Sequence, residues 1–491
     1  MDRKVPQSSG GSLLALLASR AQAQPEKVAL IQGSTQFTLG ELLARITGAA
    51  EILRGAGVES GDRVVLSAAN SPAIPVLYFA IHSVGAIAVL VASDMPDEAV
   101  AAVAEQAGAK LALLDREIRV LGSPWLDSAK VAQADASQAA LRLPEISEAA
   151  DLIFTSGTTG KKKGVLLTHG NIMAAGRNIS AFLQVAPSDL QAVPLPLSHS
   201  FGLGCVRSMA WTGHALLIER GLVNPAAMLK RMKACRATGL AIVPSGVDVV
   251  RRMTGDAIGE LAADLRFVEL GSARITEDAR NWLMRQLPRT RLCHHYGMTE
   301  ASRAVFTEYH SDGDRNGTVG RAADGVSLSI VGDDGSLLAP GEIGEIAVSG
   351  DVVMAGYWQD PALTASRLGP YGLLTGDEGW LDEDGYLYLK GRRDDIINVG
   401  GRKVAPDEVE DLLRHHPDVL DAVCVGMDDD VLGQVVCAHL VRRRPVGDAE
   451  LAAWLKPKLE DYKLPRQFYD IDAVPRTESG KVQRALVRRR V

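Results

Sequence analysis

A stretch dense in threonine, serine, glycine and lysine, residues 155–163, is the segment of the sequence best suited to chemistry. Apolar residues lead into it, and the apolar pattern resumes at Val165. Glycines let backbone N–H groups converge on phosphate oxygens, hydroxyls add donors, and lysine supplies positive charge. The order of residues differs from a Walker A loop, which disfavours a P-loop NTPase. The segment therefore predicts a polyanion-binding loop, and a solvated hairpin is the alternative.

Further polar and glycine-rich motifs follow this loop along the chain. Each is weak evidence by itself, because Thr299-Glu300 could begin a helix, Thr375-Gly376-Asp377 could form a turn and Lys481 could be an exposed lysine. Several motifs in a fixed order are more specific than any one of them. The motifs are His294-His295-Tyr296-Gly297-Met298-Thr299-Glu300, Gly317-Thr318-Val319-Gly320-Arg321, Gly341-Glu342-Ile343-Gly344-Glu345, Gly356-Tyr357-Trp358, Thr375-Gly376-Asp377, Gly391-Arg392-Arg393-Asp394-Asp395, Gly400-Gly401-Arg402-Lys403 and Ser479-Gly480-Lys481.

In this order the motifs resemble those of the AMP-forming acyl-CoA synthetase, or adenylate-forming, superfamily. Residues 155–164 are similar to its Thr-Ser-Gly-Thr-Thr-Gly-x-Pro-Lys-Gly signature, with Lys162 where proline is usual, and residues 296–300 resemble its Tyr-Gly-x-Thr-Glu motif. The resemblance runs from about residue 25 to residue 485. It implies an enzyme that joins a carboxylic acid to the α-phosphate of ATP, releases pyrophosphate, and passes the acyl group from the acyl-AMP to a thiol.

The resemblance assigns most of these residues to the nucleotide. Glu300 would be the Mg²⁺ ligand, and Thr299 would donate to the α-phosphate. Asp377 would accept hydrogen bonds from the ribose hydroxyls, and Arg392 would bind ribose or phosphate beside it. Tyr296 would stack on adenine, with an ordinary core aromatic as the alternative. The remaining nucleotide-binding residues that the resemblance implies are Thr155, Ser156, Gly157, Thr158, Thr159, Gly160 and Lys163 at the phosphates, and Gly271, Ser272, Ala273 and Gly297 where the nucleotide approaches the backbone.

Lys481 resembles the catalytic lysine of the adenylation step in this family. Its ammonium could bridge the acid carboxylate and the α-phosphate as the two anions meet. Because Lys481 lies close to the C-terminus, far along the chain from the phosphate loop, two domains must close on each other. The resemblance also implies a rotation about Asp394 that brings Gly400 and Gly401 to the entry of the pantetheine arm of CoA. A tight hairpin is an equally compatible interpretation of these two glycines.

The acyl pocket is less clearly marked. Residues 196–204 resemble the family segment that borders the carboxylate, which makes His199 a candidate gate or carboxylate neighbour, with a satisfied buried histidine as the alternative. Relatives that activate amino acids have an aspartate in this segment, and this chain has none there. That difference favours an uncharged acyl or aryl acid. Arg274 and Arg303 could meet a polar substrate tail or form surface ion pairs.

Composition excludes several other classes of protein. The 491 residues have a mean hydropathy of +0.04 and a net charge of −7, so the chain is globular and lacks the general positive charge of nucleic-acid-binding proteins. Five widely spaced cysteines without a Cys-x-x-Cys pair argue against a disulfide framework or a zinc site and favour a reducing cytoplasm. The apolar window of residues 73–92 contains Pro75, His82 and Gly85, which predicts a buried helix and strand, not a membrane span.

Apolar runs alternate with alanine-rich helical stretches through much of the chain, which predicts an α/β fold of layered subdomains. Short strands and turn signals from about residue 326 predict a β-rich subdomain. The final block carries its own strand and helix pattern and predicts a small, mobile α+β domain. We therefore expect an adenylation domain at residues 1–391 and a C-terminal domain at residues 392–491.

Three functional hypotheses follow. The leading one is an acid–CoA ligase that uses ATP, Mg²⁺ and CoA on a small carboxylic acid. A second keeps the adenylation but transfers the acyl group to the phosphopantetheine of an acyl carrier protein, to an amine or to another nucleophile. A third is a nucleotide-binding protein without catalysis, against which the joint presence of Glu300, Asp377, Arg392 and Lys481 argues. We expect no nucleic-acid partner and no membrane span.

Overall fold

Three β-sheets with helices packed against them make up the protein in the computed structural model. The structure describes residues 11–118, 121–137, 140–155, 162–312, 315, 317–393, 395–476 and 482–488. Parallel strands and helices alternate in the first part of this chain, and antiparallel strands dominate after residue 291. The predicted α/β class, with a large N-terminal part and a small C-terminal α+β part, is confirmed.

The largest sheet changes from parallel to antiparallel pairing at β13, and again at its edge, where β1 pairs antiparallel with β2. Strand β13 pairs in parallel with β12 and antiparallel with β14. The spatial order is β16-β17-β20-β21-β15-β14-β13-β12-β11-β9-β10-β1-β2, with β19 beside β20. The bounds, numbered in chain order through the whole protein, are β1 (Val28–Gln32), β2 (Thr35–Thr38), β9 (Leu190–Val193), β10 (Ala215–Ile218), β11 (Gly239–Ile242), β12 (Phe267–Leu270), β13 (Arg291–Met298), β14 (Ala301–Glu308), β15 (Thr318–Ala322), β16 (Val326–Val331), β17 (Gly344–Gly350), β19 (Leu368–Gly369), β20 (Gly372–Leu381) and β21 (Leu387–Arg392).

The second sheet carries the strands on either side of the predicted phosphate loop, β7 and β8. Its order is β18-β8-β7-β4-β3-β5-β6, parallel from β6 to β7 and antiparallel at β8 and β18. The bounds are β3 (Arg63–Ser67), β4 (Ile87–Leu90), β5 (Leu111–Leu114), β6 (Trp125–Asp127), β7 (Ala149–Thr155), β8 (Lys163–Thr168) and β18 (Gly356–Tyr357).

The third sheet lies in the C-terminal part and has its own apolar core. Val409 and Leu413 of the first C-terminal helix pack with Leu440, Leu451 and other buried residues there. The sheet order is β23-β22-β25-β24, with β26 parallel to β25. The bounds are β22 (Ile397–Val399), β23 (Arg402–Val404), β24 (Val419–Asp429), β25 (Gly433–Arg442) and β26 (Gln467–Asp470).

Several helices begin or end at capping residues that the sequence supplies. Thr38 accepts from the backbone N–H of Glu41, and the Glu41 side chain accepts from Thr38, which forms a capping box at the start of α2. Gly108 ends α4 in the left-handed conformation at φ +62°. The bounds are α1 (Leu13–Ala23), α2 (Leu39–Gly55), α3 (Ala73–Ser83), α4 (Asp97–Ala107), α5 (Ser128–Ala132), α6 (His169–Leu183), α7 (Ser200–Thr212), α8 (Pro225–Ala234), α9 (Pro244–Thr254), α10 (Glu277–Gln286), α11 (Pro361–Arg367), α12 (Pro406–Arg414), α13 (Asp448–Leu455) and α14 (Arg484–Arg488), with short 3₁₀ helices at Ala257–Leu261 and Asp461–Lys463.

The apolar window of residues 73–92 folds as predicted, as the buried helix α3 followed by the buried strand β4. No helix among the described residues is long and apolar enough to cross a membrane. All five cysteines are free, and four of them are buried.

The β-rich part of the chain begins earlier than the sequence pattern suggested. The expected β-rich texture starts near residue 326, whereas β13 and β14 already form a hairpin at residues 291–308. Every residue of β14 is buried, so the strand lacks the alternation of apolar and polar residues that marks a half-exposed strand. The turn of this hairpin is Thr299-Glu300, which contains no glycine, proline or asparagine.

Candidate active site

The predicted phosphate loop connects β7 to β8. Thr155 at the end of β7 pairs with Lys163 at the start of β8, so these two predicted phosphate-binding residues lie at the base of the loop. The carbonyl of Lys162 accepts a hydrogen bond from Gln106 Nε2 at 2.9 Å, and its ammonium lies 3.2 Å from Met95 Sδ. Burial lowers the pKa of Lys162. The other predicted members of the loop, Ser156, Gly157, Thr158, Thr159 and Gly160, lie outside the described residues.

Thr299 and Glu300 form the two-residue turn between β13 and β14, since Met298 pairs with Ala301. A turn at a strand end holds a carboxylate at the rim of the sheet, where a ligand can reach it. Glu300 is half-buried, and its Oε1 accepts a hydrogen bond from the hydroxyl of Tyr357 at 3.0 Å. The predicted metal ligand is therefore held by a neutral donor that leaves its negative charge in place.

Asp377 lies near the centre of a polar cluster on β20. Its Oδ2 accepts from the Tyr296 hydroxyl at 2.6 Å, and its Oδ1 accepts from Arg392 Nη1 at 2.9 Å. Burial and the carboxylate of Asp377 raise the pKa of Tyr296, so the phenol stays protonated. Burial would lower the pKa of Arg392, but Asp377, Tyr296 and Glu300 raise it. The structure thus brings Asp377, Tyr296 and Arg392 into contact, and Glu300 lies near enough to act on the charge of Arg392. The two oxygens of the Asp377 carboxylate retain lone pairs for ribose hydroxyls.

The predicted adenine segment, Gly271 to Ala273, follows β12. Ser272 adopts a left-handed conformation at φ +71°. His294 donates from Nε2 to the carbonyl of Ala273 at 3.0 Å and accepts at Nδ1 from Tyr309 at 2.5 Å, because burial and the neighbouring His295 lower its pKa to about 3 and keep it neutral. His294 therefore fixes the position of this segment.

The segment predicted to border the acid, residues 196–204, packs against His295 through Phe201. The ring of His295 lies 4.7 Å from the ring of Phe201. A Cβ added at Gly271 would lie 2.0 Å from the His295 ring, so residue 271 must be glycine. His199 is the N-cap residue of α7 and is half-buried. A Cβ at Gly297 would lie 2.6 Å from the backbone nitrogen of Arg303. The segment around Phe201, expected to border the acid, therefore lies beside the segments around Gly271 and Gly297, expected to approach the nucleotide.

Arg303 has neither of the roles considered from the sequence. Its side chain is 2% exposed, and its guanidinium donates to the carbonyls of Ser200 and Phe201 at 2.7 Å each, to Ser302 Oγ at 3.2 Å and twice to Glu269 at 3.4 Å. All five N–H groups are therefore used by the protein. A Cβ at Gly204 would lie 2.3 Å from this guanidinium, so the arginine fills the space beside α7.

Of the two roles considered for Arg274, contact with a polar substrate tail or a surface ion pair, the structure shows the ion pair. Its Nη1 lies 2.9 Å from Asp411 Oδ2 on α12, and the arginine side chain is 63% exposed. The pair joins the segment after β12 to the C-terminal part of the chain.

Gly400 and Gly401 form a tight turn between β22 and β23, with φ +57° and +81°. Two successive residues with positive φ are typical of a type I′ hairpin. A Cβ at Gly401 would meet no atom within 4 Å, so one side of this turn is open. Beside it, Lys403 Nζ contacts Glu378 Oε1 at 2.6 Å, which joins the C-terminal part to β20. Lys481 and Asp394 lie outside the described residues.

The residues around Glu300 fit a magnesium ion. Glu300 is a hard oxygen donor whose Oε2 accepts no hydrogen bond from any described residue. Among the described residues, no group of three or more His, Cys, Asp or Glu side chains could hold a metal ion. A cation at this point would take its other ligands from phosphate oxygens and water, which is the usual coordination of Mg²⁺ beside a nucleotide.

Sequence reasoning missed three residues of this site. Tyr357 lies in one of the quoted motifs but received no role, because nothing local shows that it reaches Glu300, 57 residues earlier. His294 lies two residues before the Tyr-Gly-x-Thr-Glu motif, and its position in a strand could have indicated that it faces away from His295. Glu269, in the middle of a buried strand, was a detectable signal, since a buried carboxylate requires a partner.

Comparison with known proteins agrees with these observations. The sequence profile of the AMP-binding enzyme family matches residues 17–358, and the profile of the AMP-binding enzyme C-terminal domain matches residues 408–481. A sulfoacetate–CoA ligase of Cupriavidus necator is 35% identical over 351 residues, which cover 70% of this chain and 67% of the relative. A feruloyl-CoA synthase of an Amycolatopsis species is 31% identical over 484 residues, 96% of this chain and 97% of the relative. The structure of an o-succinylbenzoate coenzyme A synthetase from Bacillus subtilis, in complex with ATP and magnesium ion, is 28% identical with a TM-score of 0.88, covering 96% of this chain and 98% of that one.

Proposed function

The chain belongs to the AMP-binding enzyme family, and from this membership and its site we propose that Glu300, Asp377 and Arg392 hold ATP for attack by an acid that carries no α-ammonium group. The activity itself is that of an ATP-dependent acid–CoA ligase, which forms an acyl-adenylate and transfers the acyl group to CoA. ATP, Mg²⁺ and CoA are its cosubstrates and cofactor. The observation that carries the proposed residue roles is the cluster of Asp377 with Tyr296 and Arg392.

Adenylation requires two anions to meet. A carboxylate oxygen of the acid attacks the α-phosphorus of ATP, the bond between the α-phosphorus and its bridging oxygen breaks, and pyrophosphate leaves. Asp377 fixes the ribose and Arg392 adds positive charge beside it, so the α-phosphate is presented in one orientation. Mg²⁺, when held by Glu300, would neutralise phosphate charge. Lys481 would supply the remaining cation at the reacting carboxylate.

The acyl side supports an acid without an ammonium group. Glu269 is the buried carboxylate of this region, and it is already paired with Arg303 and lies 3.4 Å from His295. An ammonium placed there would have to displace Arg303 from a site in which all of its donors are used, at a high cost in desolvation. His199 borders the acid at the start of α7. These residues favour an uncharged acyl or aryl group next to Phe201.

We further propose that the C-terminal domain, predicted at residues 392–491, rotates about Asp394 between the two half-reactions, while Arg392 stays beside Asp377 on β20. The pairs Lys403–Glu378 and Arg274–Asp411 join the two parts, and Lys403 and Arg274 remain 46% and 63% exposed. The exposed Arg274–Asp411 pair contributes about 0–1 kcal/mol, so it can break during such a movement. Glu378 is only 4% exposed, but Lys390 lies 4.0 Å from its carboxylate and can stay near it when Lys403 leaves. Gly400 and Gly401 would then admit the pantetheine arm of CoA, and a carrier-protein pantetheine is the alternative acceptor.

A reducing compartment such as the cytoplasm is the proposed location. Its support is that all five cysteines are free, including the exposed Cys235.

Pyrophosphate release tests the proposed function. Short, medium-chain, aromatic and α-amino acids would be compared with and without CoA, and release is expected with uncharged acyl or aryl acids and ATP. Lys481→Ala should reduce acyl-AMP formation by about 10²-fold or more and spare thiolysis of supplied acyl-AMP. Lys456→Ala, which removes an exposed lysine of the same region, is the matched control. Unchanged adenylation in Lys481→Ala would refute the lysine assignment, and a preference for α-amino acids would refute the acid class.

A further inference from the structure

Tyr357 lies at the point where the two large sheets approach each other. It belongs to the two-residue strand β18, which pairs antiparallel with β8, so that Tyr357 is opposite Val165. The next backbone N–H, that of Trp358, donates to the carbonyl of Gly164 at 2.7 Å. Tyr357 is therefore fixed to the strand that directly follows the phosphate loop.

The side chain of Tyr357 extends from the second sheet to the turn between β13 and β14 in the first. Its hydroxyl donates to Glu300 Oε1 at 3.0 Å. The backbone of the same segment also holds the turn, because the N–H of Met354 donates to the carbonyl of Glu300 at 2.8 Å and Val353 bridges to Ala301. Glu300 is thus held by both its main chain and its carboxylate from one short segment.

The backbone of Tyr357 is itself fixed. Its N–H donates to Thr364 Oγ1 at 2.8 Å, and Thr364 Oγ1 donates to the carbonyl of Asp360 at 2.9 Å. The tyrosine therefore approaches Glu300 from a backbone held by β8 on one side and by the first turn of α11 on the other.

A glutamate carboxylate rotates easily about its last torsion unless a neighbour fixes its plane. The phenol fixes Oε1 of Glu300 and leaves Oε2 without a hydrogen bond from any described residue. A lysine or arginine at this place would neutralise the carboxylate, whereas an uncharged phenol orients it and preserves its charge. Groups that orient a metal ligand in this way typically change metal affinity when removed.

We propose that Tyr357 is a positioning residue that orients Glu300 for Mg²⁺ bound with ATP and couples that orientation to the strand after the phosphate loop. This inference rests on the proposed role of Glu300 as the metal ligand. Tyr357 acts through Glu300 and need not touch the metal or the nucleotide.

The test is the Mg²⁺ dependence of ATP binding, measured by titration calorimetry without acid or CoA, so that no turnover is required. Tyr357→Phe should raise the Mg²⁺ concentration for half-maximal ATP binding by about tenfold and leave ATP binding without Mg²⁺ unchanged. Tyr386→Phe is the matched control, because Tyr386 donates to a carboxylate, Asp312, at 3.2 Å in another part of the molecule. The control should leave the Mg²⁺ dependence unaltered.

Glu300→Gln separates the failure of this inference from the failure of the proposed function. If Glu300→Gln leaves the Mg²⁺ dependence unchanged, the role of Glu300 as metal ligand is wrong. If Glu300→Gln raises it and Tyr357→Phe does not, the inference on Tyr357 alone is overturned.

The double variant tests whether Tyr357 acts through Glu300. We expect Glu300→Gln with Tyr357→Phe to match Glu300→Gln alone, since the tyrosine has no carboxylate left to orient. Independent effects that multiply would instead indicate general damage to the fold and would contradict the proposal. Thermal unfolding of each variant identifies any loss of folded protein.

Discussion

Two carboxylate–arginine pairs lie on either side of the central strand β13, and they differ in what they can do. The pair Asp377–Arg392 is contacted by Tyr296, and the pair Glu269–Arg303 is contacted by the adjacent His295. Successive residues of a strand point to opposite faces of the sheet, so the two pairs face opposite directions. In the proposed function, the first pair lies on the nucleotide side and the second lies on the acyl side.

Access to solvent distinguishes the two pairs more than charge does. The side chains of Asp377 and Arg392 are 10% and 37% exposed, whereas those of Glu269 and Arg303 are 1% and 2% exposed. Arg303 has all five donors engaged by the protein, but Asp377 keeps lone pairs for a ligand. The same two residue types therefore support a ligand site in one region and the packing of α7 against the sheet in the other.

The largest difference that we expect between the two pairs is their contribution to the stability of the fold. Arg303→Met should lower the free energy of unfolding by about 3–5 kcal/mol, because it leaves the buried carboxylate of Glu269 without its cation. Urea denaturation would measure the change. The double variant Glu269→Gln with Arg303→Met should recover much of the loss, since it removes both charges.

Arg274→Ala is the control for this stability effect. Arg274 also pairs with an aspartate, but it is 63% exposed, so its loss should cost less than about 1 kcal/mol. Equal losses in Arg303→Met and Arg274→Ala would show that burial does not set the role of these pairs.

A change in the Asp377–Arg392 pair should mainly weaken the binding of ATP. Asp377→Asn should raise the KM for ATP in pyrophosphate release by about 10- to 100-fold, since a hydrogen bond to a charged group contributes about 1.5–3 kcal/mol. Its free energy of unfolding should change by less than about 1 kcal/mol because Arg392 stays partly solvated. A stability loss as large as that of Arg303→Met would contradict the distinction between the regions.

Acid should weaken the protein through two kinds of buried group, neutral histidines and ion-paired carboxylates. His294 stays neutral in the folded protein with a pKa of about 3, while in the unfolded chain it takes up a proton near pH 6.5. Its contribution to stability is therefore present above about pH 6.5 and is lost on acidification towards pH 3, by about 1.4 kcal/mol per pH unit. His294→Asn should show a shallower decline between pH 6 and 5 in urea denaturation. An identical slope in that variant would contradict a buried neutral histidine.

On the acyl side, burial and Arg303 lower the pKa of His295, so this region shares the decline below about pH 6.5, and its carboxylate adds a further loss at lower pH. Burial would raise the pKa of Glu269, but Arg303 and His295 hold it below its ordinary value near 4.5. A carboxyl group with a depressed folded pKa contributes stability above about pH 4.5 and loses it as the pH falls through the folded value. Glu269 therefore adds nothing to the decline between pH 6 and 5.

The contacts on the proposed nucleotide side join residues of motifs that the sequence shows, whereas the contacts on the proposed acyl side do not. Glu300, Asp377 and Tyr296 lie in ordered motifs, and the structure brings Asp377, Tyr296 and Arg392 into contact. The roles of Arg303 and Glu269 depend on contacts between β12, β14 and α7, which are distant in sequence. The predicted roles of all these motif residues stay predictions, and Lys481 and residues 156–160 also lie outside the described part of the chain.

Fold prediction succeeded where local pattern is sufficient. The buried helix α3 and strand β4 and most C-terminal strands follow from apolar runs and turns. The continuity of the largest sheet through β13 was not predictable, because strand pairing at long sequence separation leaves little local signal. The short strand β26 was also missed, since its exposed and half-buried residues carry little apolar pattern.

Three consecutive residues of β13 each serve a different neighbour: His294 bonds the segment after β12, His295 touches Phe201, and Tyr296 bonds Asp377. A change in the main chain at any one of them moves all three. Laboratory redesign of the acid preference is therefore better directed at α7 or β14, because altering β13 would disturb the proposed ATP site at the same time.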